Sequence, residues 1–181
     1  MIRAILHWAM RGLERRYAYD AAYAHHVINV SRSAGIRLAM FPLVAQYRGP
    51  KPGRLVWAGA LFGSTHEGDC GPCAQLVVDM AVEAGVPVAS LRACAEGRAE
   101  EAGDVGLGYR FAMAAIADTP EAAALGDKIA ESYGEDARVA ASFAAATGRF
   151  YPVFKRGLGH GQLCAKLRFD GAEVAVTRKA G

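Results

Sequence analysis

Four residues of this 181-residue chain carry sulfur that can react: Cys70, Cys73, Cys94 and Cys164. Two of them stand in the tetrad Cys70-Gly71-Pro72-Cys73. A thiolate attacks a disulfide sulfur, and a thiol close by can resolve the mixed product. A thiolate also attacks a peroxide, and the sulfenic acid that forms condenses with a second thiol to a disulfide. Both reactions need thiolate at neutral pH, and a free cysteine has a pKa of about 8.5. Backbone N–H groups at a helix N-terminus carry partial positive charge and lower that value. His66 and Glu67 precede the pair, and each can give or take a proton; the alternative for both is a solvated helix end. Zinc would need two further ligands, for which His66, His160 and Cys164 are the candidates. No second CxxC exists, which weighs against a metal. Cys94 and Cys164 read as small buried hydrophobes. His25 and His26 read as ordinary helix residues, and Asp79 points off the cysteine face.

The elements that position these residues read as helices. Gly68 is a break, because the ring of Pro72 in one continuous helix would clash with the Gly68 carbonyl. A new helix is expected from about Cys70 to Ala84, with Asp69 as N-cap and Pro72 in the first turn. Gly85 followed by Pro87 is a helix stop. Upstream, Ile2 to about Ser33 reads as one or two amphipathic helices, and Ser33 to Gln46 as another delimited by Pro42. Tyr47 to Gly53 is a loop. Arg54 to Phe62 is so apolar that periodicity leaves buried helix and buried strand both open. Downstream, helices are expected over Val88–Ala102, Gly106–Asp118, from Thr119-Pro120-Glu121, over Asp136–Thr147 and over Phe150–Leu158. Leu167, Phe169, Val174 and Val176 alternate around Asp170-Gly171, which points to a small hairpin. The organisation is one domain over residues 1–181, with a helical extension over about 1–34 and a tail over about 161–181.

Composition narrows the function. The apolar fraction is 52% and the charged fraction 22%, ordinary for a globular protein. The net charge of +3 is spread along the chain without a basic, aromatic-interleaved stripe, so nucleic acid is not an expected partner. No apolar segment approaches the ~20 residues that span a bilayer, and no membrane partner is expected. Met1 to Trp8 is followed at once by Arg11, Glu14, Arg15 and Arg16, and reads as a helix rather than a secretory leader. The expected compartment is the reducing cytoplasm, where a close cysteine pair is catalytic, redox-active or metal-binding more often than a structural staple.

The tetrad is the one typical of thioredoxins, but the strand alternation of that fold is missing downstream of Gly85. The stretch from Arg54-Leu55-Val56-Trp57-Ala58 through Cys70-Gly71-Pro72-Cys73 to Ala84-Gly85-Val86 resembles the core of the alkylhydroperoxidase D-like, or carboxymuconolactone decarboxylase-like, superfamily. Tyr109-Arg110-Phe111-Ala112, Thr119-Pro120-Glu121 and Tyr133 to Val139 resemble the helical pair that follows that core. The likeness spans roughly residues 35 to 160. It implies an all-α helical bundle and a homo-oligomer, commonly a trimer or hexamer. It also implies Cys73 as the attacking thiol and Cys70 as the resolving one. Peroxidatic members carry a relay Glu twelve positions before the first cysteine and a His four after the second; here these are Ala58 and Val77, which cannot move a proton. His66 and Glu67 are the substitutes at hand.

The expected activity is therefore thiol-dependent reduction of a hydroperoxide or other small-molecule substrate at Cys73 and Cys70. An external dithiol acts as reductant, and no metal or organic cofactor is needed. The alternatives are a non-catalytic or redox-sensing helical oligomer, and a small-molecule decarboxylase or isomerase on the same scaffold. The decarboxylase branch generally lacks the CxxC pair.

Overall fold

Alanine-rich segments with few β-branched runs favour helix. The computed structural model describes residues 1–162 and 166–175 and is mostly helical, with one short two-stranded sheet. In chain order the helices are α1 (Ile2–Tyr17), α2 (Ala22–Val30), α3 (Arg32–Met40), α4 (Pro42–Ala45), α5 (Arg54–Glu67), α6 (Gly71–Glu83), α7 (Val88–Ala95), α8 (Gly103–Ile116), α9 (Glu121–Tyr133), α10 (Glu135–Thr147) and α11 (Phe150–Gly157). The strands β1 (Lys166–Phe169) and β2 (Ala172–Ala175) pair antiparallel around Asp170-Gly171. Both turn residues take left-handed backbone, φ 48° and 80°, which suits an Asp-Gly two-residue hairpin. Val176 and Cys164 fall outside the described residues.

The segment left open between strand and helix is α5, the central helix. Residues Val56 to Ala60 and Phe62 to Thr65 are all buried, so it lacks a polar face to give it a period. Its closest neighbour is α8, and the two meet backbone to backbone. A Cβ at Gly59 would stand 1.9 Å from the Val105 carbonyl oxygen, and one at Gly108 would stand 1.9 Å from that of Val56. On its other sides α5 packs against α10, whose Ala140, Ala141 and Ala144 are fully buried, and against α6. The short side chains of α10 permit that close approach.

Several helices stop in the same way. After α6 the Val86 N–H bonds the Ala81 carbonyl, after α7 Arg98 bonds Ala93, and after α11 His160 bonds Lys155. In each the residue before the donor, Gly85, Gly97 or Gly159, is left-handed, the Schellman closure. This corrects the helix expected over Val88–Ala102. Gly97 ends α7 at Ala95, and Ala99–Glu101 follows as a separate 3-10 turn.

A second apolar cluster lies against the outer face of α6. It is built from Tyr19 of the α1–α2 connection, Tyr23 and Val27 of α2 and Leu38 of α3, with Leu76 of α6 and Phe150, Tyr151 and Phe154 of α11 packed on it. Arg16 and Tyr17 both reach Glu83 at the far end of α6. The side chain of Gln75 holds β1 to α6 by donating to the Arg168 carbonyl (3.1 Å) and accepting from the Arg168 N–H (2.7 Å).

Candidate functional site

The thiol corner is made by the turn between α5 and α6. Asp69 takes left-handed backbone (φ 51°), and Cys70 is extended (φ −124°, ψ 99°). Cys70, not Asp69, therefore occupies the N-cap position, and it caps with no side-chain hydrogen bond. Pro72 sits in the first turn, where its missing N–H costs nothing. Cys73 is the third helical residue, inside the turn whose backbone N–H groups have no partner within the helix and where the dipole is strongest. The two sulfurs are joined as a disulfide, with Cα atoms 5.2 Å apart. Both cysteines are buried, at 2% and 4% exposure. A cross-link between residues three apart removes little unfolded-chain entropy, about 2 kcal/mol against about 5 for a loop of a hundred residues. As a staple this disulfide contributes less than one that closes a long loop.

His66 and Glu67, the two proton carriers expected beside the pair, have other partners. The His66 ring stacks on Phe62 with the planes 3° apart, and its Nδ1 lies 2.8 Å from the Tyr109 hydroxyl of α8. Burial holds the His66 pKa below the ordinary imidazole value, opposed by the charge of Asp69. Glu67 forms an ion pair with Arg149 (2.9 Å). That contact lacks hydrogen-bond angles, so it is a charge pairing and not a directed bond. Ala58 and Val77 bring no ionisable group. Asp79 is half-buried and accepts from Gln75 (2.8 Å).

Helix α11 and the segment after it cover the corner. A Cβ on Gly68 would strike the Pro152 ring at 2.7 Å, so α11 lies flat on the turn. Arg156 donates to the Gly68 carbonyl, and the Gln162 carbonyl accepts from the Gly71 N–H (3.3 Å). Between Pro152 and Arg156 on this helix is Lys155, 1% exposed, with no hydrogen-bond partner for its Nζ. The ammonium lies 5.0 Å from the ring centre of Tyr19 and 5.1 Å from that of Tyr23. Burial lowers its pKa, opposed by Asp20, and burial pushes Tyr19 up to about 12 and raises Tyr23 and Tyr151. Tyr19 also lines an open groove of about 460 Å³, with Tyr17, Gly71, Pro72, Gln75 and Arg168 of β1. Lys155 escaped the sequence reading because it stands in an aromatic run, Phe150-Tyr151-Pro152-Val153-Phe154, where a lysine ordinarily marks the exposed face.

Cys94 lies buried on α7, and burial pushes its thiol up to about 12, which leaves it unreactive at neutral pH. Among the described residues no group of three or more His, Cys, Asp or Glu side chains could hold a metal ion, and none of the helices is long and apolar enough to cross a membrane. His26 and His160 meet edge to face at 5.7 Å between ring centres. No family model, no curated protein and no solved structure matches the chain.

Proposed function

We propose that this chain is a thiol–disulfide oxidoreductase on a bundle of the alkylhydroperoxidase D-like type, working through Cys70 and Cys73. The observation that carries the reading is the meeting of both sulfurs in the first turn of α6, one at the N-cap and one inside the helix. In the peroxide cycle the Cys73 thiolate attacks the peroxide O–O bond. The alcohol leaves, and a sulfenic acid remains. The Cys70 thiol then displaces water and closes the disulfide. An external dithiol reopens it by exchange, leaving as its own disulfide. The chemistry needs no metal or organic cofactor. The protein is a cytoplasmic homo-oligomer in this reading. The direct test is consumption of a hydroperoxide by purified protein with a dithiol. A Cys73→Ser variant as active as the parent would sink the mechanism.

The burial of both cysteines, together with Ala58 and Val77 at the relay positions, favours a second reading: a non-catalytic helical oligomer in which the cysteines are merely buried. Native-state reaction of the reduced protein with a thiol reagent separates the two. Fast labelling at neutral pH supports the enzyme, and labelling only after unfolding supports the non-catalytic, buried pair.

A further inference from the structure

A reduced thiol pair in this corner faces an electrostatic problem that the disulfide does not. The disulfide is neutral, whereas a buried thiolate needs opposite charge beside it. The helix N-terminus supplies about half a unit charge. His66 is engaged with Tyr109 and Glu67 with Arg149, and the relay positions are Ala58 and Val77. Two cations stand on the helix that covers the turn: Arg156 is exposed and donates to the Gly68 carbonyl, whereas Lys155 is buried with no hydrogen-bond partner. Lys155 stands one turn after Pro152 on the same helical face and precedes Arg156, whose exposed side chain leaves the helix about 100° away. Those two neighbours both rest on Gly68, two residues before Cys70. From the other side, Tyr19 touches the Lys155 ammonium and also lines the groove with Gly71 and Pro72. Lys155 is thus enclosed between the cover of the corner and the wall of its groove.

A buried lysine held against tyrosine faces, with the charge of Asp20 only partly opposing its desolvation, is poorly compensated, because such contacts replace only part of its lost hydration. We infer that Lys155 is the counter-charge of the Cys70–Cys73 pair in its reduced state, a positioning residue that holds one of the two sulfurs as thiolate. The inference rests on the redox reading above. An external dithiol gives two electrons and two protons, and the Cys70–Cys73 bond breaks as the dithiol becomes a disulfide. One proton stays on one cysteine, the other goes to solvent, and the remaining thiolate pairs with the Lys155 ammonium. When the disulfide re-forms, Lys155 is left with the rings of Tyr19 and Tyr23.

The test is a pH titration of thiolate absorbance and of alkylation rate in the fully reduced protein, comparing the parent with Lys155→Met and Lys155→Arg, each checked for fold by circular dichroism. The parent midpoint should lie below the ordinary thiol value of about 8.5. K155M should move it up by a unit or more, lowering alkylation at neutral pH roughly tenfold, and K155R should restore most of it. An unchanged midpoint in K155M overturns the role of Lys155 and leaves the redox reading standing. A parent midpoint at or above the ordinary value overturns both. A second measurement needs no variant: at pH values above the measured thiolate midpoint and below that of dithiothreitol, the equilibrium between the parent disulfide and dithiothreitol should favour reduction about tenfold more for each pH unit gained, because one proton is released there. A flat dependence overturns the inference even if K155M fails to fold.

Discussion

Replacing Gly108 by alanine should destabilise the protein, whereas the same replacement at Gly12 should stabilise it. Both glycines are helical, so each alanine gains about 1 kcal/mol of helix propensity. At Gly12 nothing lies within 4 Å of the added Cβ, and the gain stands alone. At Gly108 the Cβ would stand 1.9 Å from the Val56 carbonyl oxygen and 2.9 Å from the Ala60 nitrogen, backbone atoms that cannot rotate away. A carbon and a carbonyl oxygen approach to about 3.3 Å at closest. The helices must therefore separate by about 1.4 Å at their crossing, enough to forfeit a quarter to a half of the dispersion energy across the contact. Overpacking of this kind costs about 3 kcal/mol or more, so Gly108→Ala should lose about 2 kcal/mol net and differ from Gly12→Ala by about 3. In a chain of this size that separates the two melting temperatures by about 6–12 °C. Thermal and urea unfolding followed by far-ultraviolet circular dichroism would measure it. A Gly108→Ala protein as stable as its parent would refute the argument that α5 and α8 touch through their backbones, and with it the rigid placement of the thiol corner at the end of α5.

Three further outcomes are expected. Cys73→Ser should abolish dithiol-dependent peroxide turnover while Cys70→Ser retains a single oxidation event without recycling, read by stopped-flow and mass spectrometry. Cys94 should resist iodoacetamide at neutral pH in the folded protein and react on unfolding, because burial pushes its thiol up to about 12; mass spectrometry of native and denatured samples counts it. Stability should fall as the pH drops below about 6.5. There the unfolded chain binds a proton on His66 that the folded protein, with its lowered pKa, still refuses, and the loss levels off once both states are protonated. His66→Phe, which can keep the stacking on Phe62, should flatten that part of the pH profile in chemical denaturation; an unchanged slope would assign it to other groups.

Much of the local grammar was legible. Gly68, Pro72, Gly85 and Pro87 bracket α6 to within a residue or two, because breakers act through backbone sterics that need no partner. The Asp170-Gly171 turn and the alternation of Leu167, Phe169 and Val174 likewise announce the hairpin. Asp69 was misplaced by one position, since a left-handed Asp followed by an extended Cys moves the N-cap onto the sulfur residue. What could not be read was pairing at a distance. His66 meets Tyr109 across forty-three residues, and Glu67 meets Arg149 across the α10–α11 turn. Gly59 and Gly108 pack against carbonyls of the opposite helix. The burial of Lys155 follows from the rings of Tyr19 and Tyr23, which stand more than a hundred and thirty residues earlier in the chain. None of these leaves a periodic trace.

The cover over the thiol corner also sets an order of events during synthesis. Residues 54 to 73, which form α5 and the turn carrying both cysteines, leave the ribosome well before α11 and Gln162 can close over Gly68 and Gly71. Through that interval the two thiols are open to whatever oxidants and reductants surround the nascent chain. The redox state in which the pair is first enclosed is thus decided by the translating environment, before the finished protein can exert any selectivity of its own.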